Sequence, residues 1–186
     1  MIKGGKGGCN TKTGLFYEGK VDLKTFLNNL PNYKLIEHTK TKNKKSKWYL
    51  VYYKNELIAD IFQKNALYIY LEEKRINWKE FLSKKLLPDN AIYVISNNTL
   101  FIVEVKYQQV AGSVDEKLQT CDFKRKQYIK LFSYLNYKVE YLYILSNWFK
   151  KEEYKDVLNY IINMGCRYYF NYLPLKELGL PIPNEN

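Results

Sequence analysis

Short apolar runs bounded by polar turn residues recur along this chain and predict most of its regular structure. Runs rich in aromatic and branched side chains favour β-strands because such side chains pack well on a pleated surface. On this basis we predict strands at Trp48 to Tyr53, Leu57 to Phe62, Leu67 to Leu71, Ala91 to Ile95, Leu100 to Lys106, Lys138 to Leu145 and Arg167 to Phe170.

Apolar residues at helical spacing predict helices between these strands. The expected helices are Phe16 to Leu30, Trp78 to Leu87, Ser113 to Leu135 and Glu152 to Ile162, with Lys34 to Lys47 as a polar connection. Ser113 and Glu116 form a capping box at the start of the third helix. Alternating strands and helices predict an α/β fold in which helices flank a central mixed sheet. The length fits a single domain over residues 1–186.

The charge of the chain indicates an acidic partner. Its formal net charge is +11, and lysine supplies nearly all of the excess. Nucleic acid is the first candidate and an anionic membrane surface the second. Part of the lysine excess also fits compositional drift in an AT-rich genome. A hydrophobic fraction of 46% with 19 tyrosines favours a folded globule over a disordered tail.

The rarer residues narrow the chemistry and the compartment. His38 is the only histidine, which argues against a histidine zinc site, a Ser-His-Asp triad and a histidine–metal nuclease. Three cysteines without CxxC spacing favour reduced thiols in a cytoplasmic protein. Met1 to Gly8 lacks the apolar core of a signal peptide, and no apolar stretch approaches membrane-spanning length. Carboxylates and lysines remain as the reactive groups, and carboxylates suit magnesium.

Glu104 and Lys106 are the strongest candidates for a reactive pair. Because side chains alternate along a strand, both should point to one face. The apolar run Leu100 to Val103 places the pair at the polar end of a buried strand. An amine and carboxylates on one face can hold a hard metal ion or position a water against a phosphate.

Asp89 should join this pair through the hairpin that precedes it. A turn centred between Asn97 and Asn98 would set Asp89 opposite Lys106 and Ala91 opposite Glu104. Asp89 would then be a diagonal neighbour of Glu104, about 7–8 Å away. A slip of one residue would send one carboxylate to the opposite face.

Alternatives to this site stay open. A lysine-rich chain contains Glu-x-Lys by chance, and a strand-end pair of this kind can be merely solvated. Asp60 is a rival metal ligand if the register is wrong, and Glu73 also lies among apolar residues. Lys117 and the run Lys40 to Lys47 could contact phosphate, although ordinary solvated lysines are the favoured explanation of both.

The order Pro88-Asp89, turn, apolar run and Glu104-Val-Lys106 resembles the PD-(D/E)xK nuclease pattern. Gly4 to Glu18 and Tyr107 to Leu118, which includes Gly112-Ser-Val-Asp-Glu-Lys117, are similar to segments of restriction endonuclease cleavage domains. The resemblance spans about residues 4–135, and it implies the restriction-endonuclease-like form of the α/β core.

The resemblance also implies roles for individual residues. Asp89, Glu104 and the backbone carbonyl of Val105 would bind Mg²⁺. Lys106 would hold the attacking water or offset charge on the phosphate. Glu18, on the first helix, would reach the metal directly or through water. Gln108, favoured over Gln109 because it would share the face of Lys106, would contact phosphate or water.

Among such nucleases the chain most resembles the small, cleavage subunit of a heterodimeric type IIS restriction endonuclease. This implies hydrolysis of one strand of double-stranded DNA beside a site that a larger nicking subunit recognises. We expect the isolated chain to be a monomer with no membrane association. The alternatives are a self-sufficient homodimeric restriction or repair nuclease of the same fold, and a non-catalytic basic DNA-binding or scaffold module.

Overall fold

The computed structural model describes residues 10–11, 14–16, 23–42, 45–108 and 114–183, and most of its strands belong to one large sheet. The strands are β1 (Asn10–Thr11), β2 (Gly14–Phe16), β3 (Tyr33–Glu37), β4 (Trp48–Tyr53), β5 (Glu56–Phe62), β6 (Asn90–Val94), β7 (Thr99–Lys106), β8 (Lys138–Leu145), β9 (Arg167–Phe170) and β10 (Tyr172–Pro174). The large sheet has seven strands in the order β3-β4-β5-β6-β7-β8-β9, and a small sheet has the order β1-β2-β10. Neighbours from β3 to β7 are antiparallel, whereas β7, β8 and β9 run parallel, so the large sheet is mixed.

Helices connect and cover these strands. They are α1 (Leu23–Asn28), α2 (Ala66–Glu73), α3 (Val114–Leu118), α4 (Cys121–Leu131), α5 (Lys155–Asn163) and α6 (Leu175–Leu178). Within the described ranges, no helix has the length and apolar character needed to cross a membrane.

Two hydrophobic layers cover the two faces of the large sheet. Leu100 and Ile102 of β7 belong to the layer that includes Tyr128 of α4. Phe101 and Val103 belong to the other layer, together with residues of α1 and α6. Because successive side chains of β7 face opposite sides, burial on both faces requires its uninterrupted apolar run. The predicted α/β class, with a mixed central sheet and flanking helices, is confirmed.

The strand predicted at Leu67 to Leu71 is wrong, because this segment lies within α2. Every side chain from Ala66 to Leu71 is buried, so the helix has no polar face there. A short apolar run without a polar face fits a buried helix and a buried strand equally well.

The helix predicted at Trp78 to Leu87 is also wrong. Only Trp78–Glu80 forms a turn of 3-10 helix. The Tyr68 hydroxyl accepts a hydrogen bond from the Leu86 N–H at 2.7 Å and donates one to the Leu86 carbonyl at 3.0 Å. These bonds replace helical ones, and Pro88 disfavours helical backbone at Leu87.

Two further helices differ from their predicted bounds. Phe16 lies in β2, and the described helix begins only at Leu23. The helix expected from Ser113 to Leu135 is divided into α3 and α4. The Thr120 hydroxyl donates to the Lys117 carbonyl at 2.8 Å, and such local side-chain bonds compete with a continuous helix.

The polar segment predicted at Lys34 to Lys47 overlaps a strand that the pattern missed, namely β3. Among the strands that the structure describes, it forms one edge of the large sheet and pairs with β4 alone. Charged residues are common on edge strands, because they discourage pairing with other chains. Because β3 contains a lysine and a glutamate, a prediction based on apolar runs did not detect this short strand.

Candidate active site

The hairpin of β6 and β7 has a register two residues away from the predicted one. Ala91 pairs with Ile102, so the predicted pairings of Ala91 with Glu104 and of Asp89 with Lys106 are wrong. The same register, continued beyond the start of β6, sets Asp89 directly opposite Glu104. A slip of two residues preserves the face of every side chain, because side chains alternate with a period of two. The expected common face of the three side chains therefore survives the correction.

Three predicted site residues lie together at the end of this hairpin. The Lys106 Nζ donates to Glu104 Oε2 at 2.7 Å and lies 3.8 Å from Asp89 Oδ2. The Glu104 side chain is only 8% exposed, whereas that of Asp89 is 53% exposed. The site thus has one buried and one open carboxylate, with an ammonium group between them.

The backbone of Val105 connects the two strands at this point. Its N–H donates to Asp89 Oδ2 at 3.3 Å and so holds the open carboxylate against β7. In a strand the N–H and C=O of one residue point to the same side, so the carbonyl of Val105 also points to the side of Asp89. This placement agrees with the expected use of that carbonyl as an oxygen ligand.

Buried tyrosines surround Glu104 on the α4 face of the sheet. Tyr143 of β8 is its direct partner in the parallel register. Burial raises the pKa of Tyr128, Tyr141 and Tyr143, and the negative charge of Glu104 raises the pKa of each further. These phenols therefore stay neutral. The Glu104 carboxylate thus lies against buried, uncharged side chains, where electrostatic interactions are strong.

Lys124 of α4 also belongs to the cluster, although the sequence interpretation did not identify it. Its Nζ lies 3.5 Å from Glu104 Oε1, on the oxygen that Lys106 leaves open. The helical spacing carried a signal, because Lys124 follows Cys121 by three residues and precedes Tyr128 by four. Both neighbours are buried against the sheet, so Lys124 shares the inward side of the helix.

Gln108 lies just beyond β7, and its backbone is fixed by Ser146. The Ser146 hydroxyl accepts a hydrogen bond from the Gln108 N–H at 3.2 Å and donates one to its carbonyl at 3.1 Å. The side chain of Gln108 is buried, yet neither its oxygen nor its nitrogen has a hydrogen-bond partner among the described residues. A buried amide without partners is costly, which makes this side chain a candidate to bind a ligand or water.

Other predicted residues lie outside this cluster or outside the described part of the chain. Glu18, Gln109 and the greater part of Gly4 to Glu18 fall outside the described residues. Lys117 is exposed on α3, and its carbonyl accepts a hydrogen bond from the Tyr143 hydroxyl at 3.2 Å.

Asp60 lies away from the cluster of Asp89, Glu104 and Lys106. It pairs across the sheet with Tyr93, which pairs with Leu100, and Leu100 precedes Glu104 by four residues on β7. Asp60 is therefore about 13 Å from Glu104 along the strand direction alone. Its Oδ1 accepts a hydrogen bond from Trp48 Nε1 at 2.7 Å. Burial raises the pKa of Asp60, and the Trp48 bond opposes that shift.

Glu73 and two lysines of the run Lys40 to Lys47 also have other partners. Glu73 lies 3.2 Å from the Lys40 Nζ and 3.7 Å from His38 Nε2. Lys47 donates to Glu37 at 2.7 Å and to the carbonyls of Thr41 and Lys42. These contacts stabilise the turn before β4, and they explain two of the lysines without any ligand.

The residues present fit a magnesium ion that shares its coordination with a substrate. No group of three or more histidine, cysteine, aspartate or glutamate side chains able to hold a metal occurs within the described residues. Mg²⁺ commonly uses only one or two carboxylates and completes its shell with waters and substrate phosphate. Asp89, Glu104 and the Val105 carbonyl meet that requirement, and the unpartnered amide of Gln108 offers a further polar group nearby along the chain.

Comparison with protein-family models, with curated proteins and with solved structures finds no match to this chain.

Proposed function

We propose that this chain is a magnesium-dependent DNA endonuclease subunit with a PD-(D/E)xK core. The observation that carries the proposal is the convergence of Asp89, Glu104 and Lys106 at the end of the β6–β7 hairpin. Hydrolysis of a phosphodiester needs a cation, an activated water and positive charge near the phosphate, and this set can provide all three.

Each residue of the site has a separate proposed role. Asp89, Glu104 and the Val105 carbonyl would hold the ion, which when bound lowers the pKa of a water and offsets charge on the phosphate. Lys106 keeps an ammonium group between the two carboxylates, where it can orient the water or stabilise charge that develops on the phosphate oxygens. We propose that Gln108, two residues after Lys106, contacts the same water or phosphate through its unpartnered side-chain amide. The buried tyrosines that lie against Glu104 exclude bulk water from one side of the site.

The substrate we propose is double-stranded DNA, of which the chain cuts one strand. The net charge of +11 supports a polyanionic substrate. One site per chain cuts one strand, so cleavage of both strands requires a second active site. We propose that a larger, sequence-recognising nicking subunit supplies it, as in type IIS restriction.

A plasmid cleavage assay tests this proposal. Supercoiled plasmid is incubated with Mg²⁺ and the wild type or Glu104→Ala, alone and with the larger subunit recovered by affinity purification from the native cells. We expect linear product only with wild type and partner together. Linear product from the wild type alone would favour a self-sufficient homodimeric nuclease. No cleavage under either condition would favour a basic DNA-binding or scaffold module.

A further inference from the structure

We propose that Lys124 is a second cationic residue of this site, which holds a phosphate of bound DNA and opposes metal binding while DNA is absent. The inference rests on the proposed nuclease function and adds a coupling between its two ligands. It begins from the Glu104 carboxylate, both of whose oxygens face an ammonium group, Lys106 on one and Lys124 on the other.

The position of Lys124 is fixed by the helix that carries it. Tyr128, one turn later on α4, is buried and donates to the Leu86 carbonyl at 3.2 Å. Leu86 lies three residues before Asp89, so this bond ties the helix to the segment that delivers the open carboxylate. Cys121, one turn earlier, is buried as well. Because its neighbours one turn before and one turn after are both buried, the position of Lys124 beside Glu104 is fixed.

The two lysines differ in their dependence on Glu104. Lys106 has a second carboxylate, Asp89, at 3.8 Å. Lys124 has Glu104 as its only ion-pair partner in the described part of the chain. Its side chain is 27% exposed, so an unpaired charge there would be incompletely hydrated.

A divalent ion bound to Glu104 would therefore remove the one partner of Lys124 and place a cation beside it. Repulsion between the two would weaken metal binding to the free protein. A DNA phosphate in the site would give Lys124 a new anionic partner and remove that penalty. Metal and DNA then favour each other's binding, and by linkage the effect is equal in both directions. Such coupling would keep the metal occupancy of the free protein low and would raise it when DNA is bound.

Lys126 is a matched control on the same helix. It lies two residues from Lys124, pairs with Asp122 at 2.8 Å, and its side chain is 67% exposed. Its removal changes the net charge of the chain by the same amount without touching Glu104. Methionine is the best replacement at both positions, because it keeps most of the apolar stem of lysine.

The test compares Lys124→Met and Lys126→Met in two measurements. Titration of each protein with Mn²⁺ alone, followed calorimetrically, reports metal affinity without any turnover. We expect Lys124→Met to bind Mn²⁺ tighter by ~5-fold or more, at the lower end of ordinary couplings between sites. We expect Lys126→Met to match the wild type. A structural defect at Lys124 would not tighten metal binding.

The second measurement is the affinity for a fluorescent DNA duplex, in Ca²⁺, over a series of salt concentrations. We expect Lys124→Met to bind more weakly and its salt slope to fall by about one, since one phosphate contact is lost. Lys124→Arg should restore most of the slope. Unchanged or weaker Mn²⁺ binding by Lys124→Met, or a salt slope equal to that of Lys126→Met, would overturn the inference.

Glu104→Gln separates this inference from the function on which it depends. If Mn²⁺ binding by the wild type is not lost in Glu104→Gln, both the metal site and the coupling are wrong. If binding depends on Glu104 but does not tighten in Lys124→Met, the metal site stands and only the role of Lys124 fails.

Discussion

Replacing Glu104 with glutamine should destabilise the metal-free protein, because the carboxylate neutralises two lysines at a largely buried position. Glutamine keeps the shape of the side chain and one acceptor oxygen but removes the charge. The charge-assisted bond from Lys106, at 2.7 Å, should contribute roughly 1.5–3 kcal/mol. The more exposed contact with Lys124, at 3.5 Å, should add at most about 1 kcal/mol.

Part of this loss is recovered, because Lys106 keeps Asp89 at 3.8 Å and the Lys124 side chain, at 27% exposure, stays partly hydrated. We therefore expect the free energy of unfolding to fall by about 1–3 kcal/mol. For a chain of this length, that corresponds to a melting temperature lower by about 3–10 °C.

The assay is urea unfolding in EDTA at neutral pH, with the midpoint and slope fitted separately. Glu152→Gln is the matched control, since Glu152 also pairs with a lysine, Lys155 at 3.1 Å, but is 87% exposed. Its loss should cost less than about 0.5 kcal/mol. If Glu104→Gln costs no more than Glu152→Gln, or stabilises the protein, the two contacts do not outweigh the cost of burying the carboxylate, and the reasoning is refuted.

Three further predictions concern the site and its surroundings. Asp89→Ala should lower plasmid cleavage by at least ~10²–10³-fold. Its melting temperature should show a stability change within about 1 kcal/mol, because the side chain is half exposed. A loss of folding equal to the loss of cleavage would contradict this. Asp60→Asn should stabilise the protein at pH 7.5, because burial raises the pKa of Asp60 and so makes its ionised form costly, while the amide oxygen can still accept from Trp48. A raised folded-state pKa means that this cost appears as pH rises through that pKa and disappears towards the unfolded value of about 3.9; a difference in melting temperature that stays constant between pH 7.5 and pH 4 would count against the assignment. Ser146→Ala should lower stability by roughly 1–2 kcal/mol through two lost bonds to the Gln108 backbone, and an unchanged urea midpoint would show that this strand exit is held in another way.

Local patterns predicted the strands of the large sheet well where the strand stood between clear turns. Trp48–Tyr53, Lys138–Leu145 and Arg167–Phe170 match their predicted bounds. The segments that failed depend on contacts distant in sequence. Leu67 to Leu71 is helical within a fully buried layer, and Leu86 gives its backbone bonds to the remote Tyr68 instead of a helix. A pattern of apolar residues holds no information about such partners.

The candidate site shows the same division between local and distant information. Asp89, Glu104 and Lys106 lie on one hairpin, so strand alternation alone could place them on one face, and a register error of two residues left that face unchanged. An error of one residue would have separated Asp89 from Glu104 completely. Lys124 comes from a helix whose position over β7 and β8 is set by tertiary packing, and helical spacing could show only that it faces inward, not which carboxylate it meets. The electrostatics of Glu104 therefore depend on two lysines, of which the hairpin sequence supplies one and the packing of α4 supplies the other.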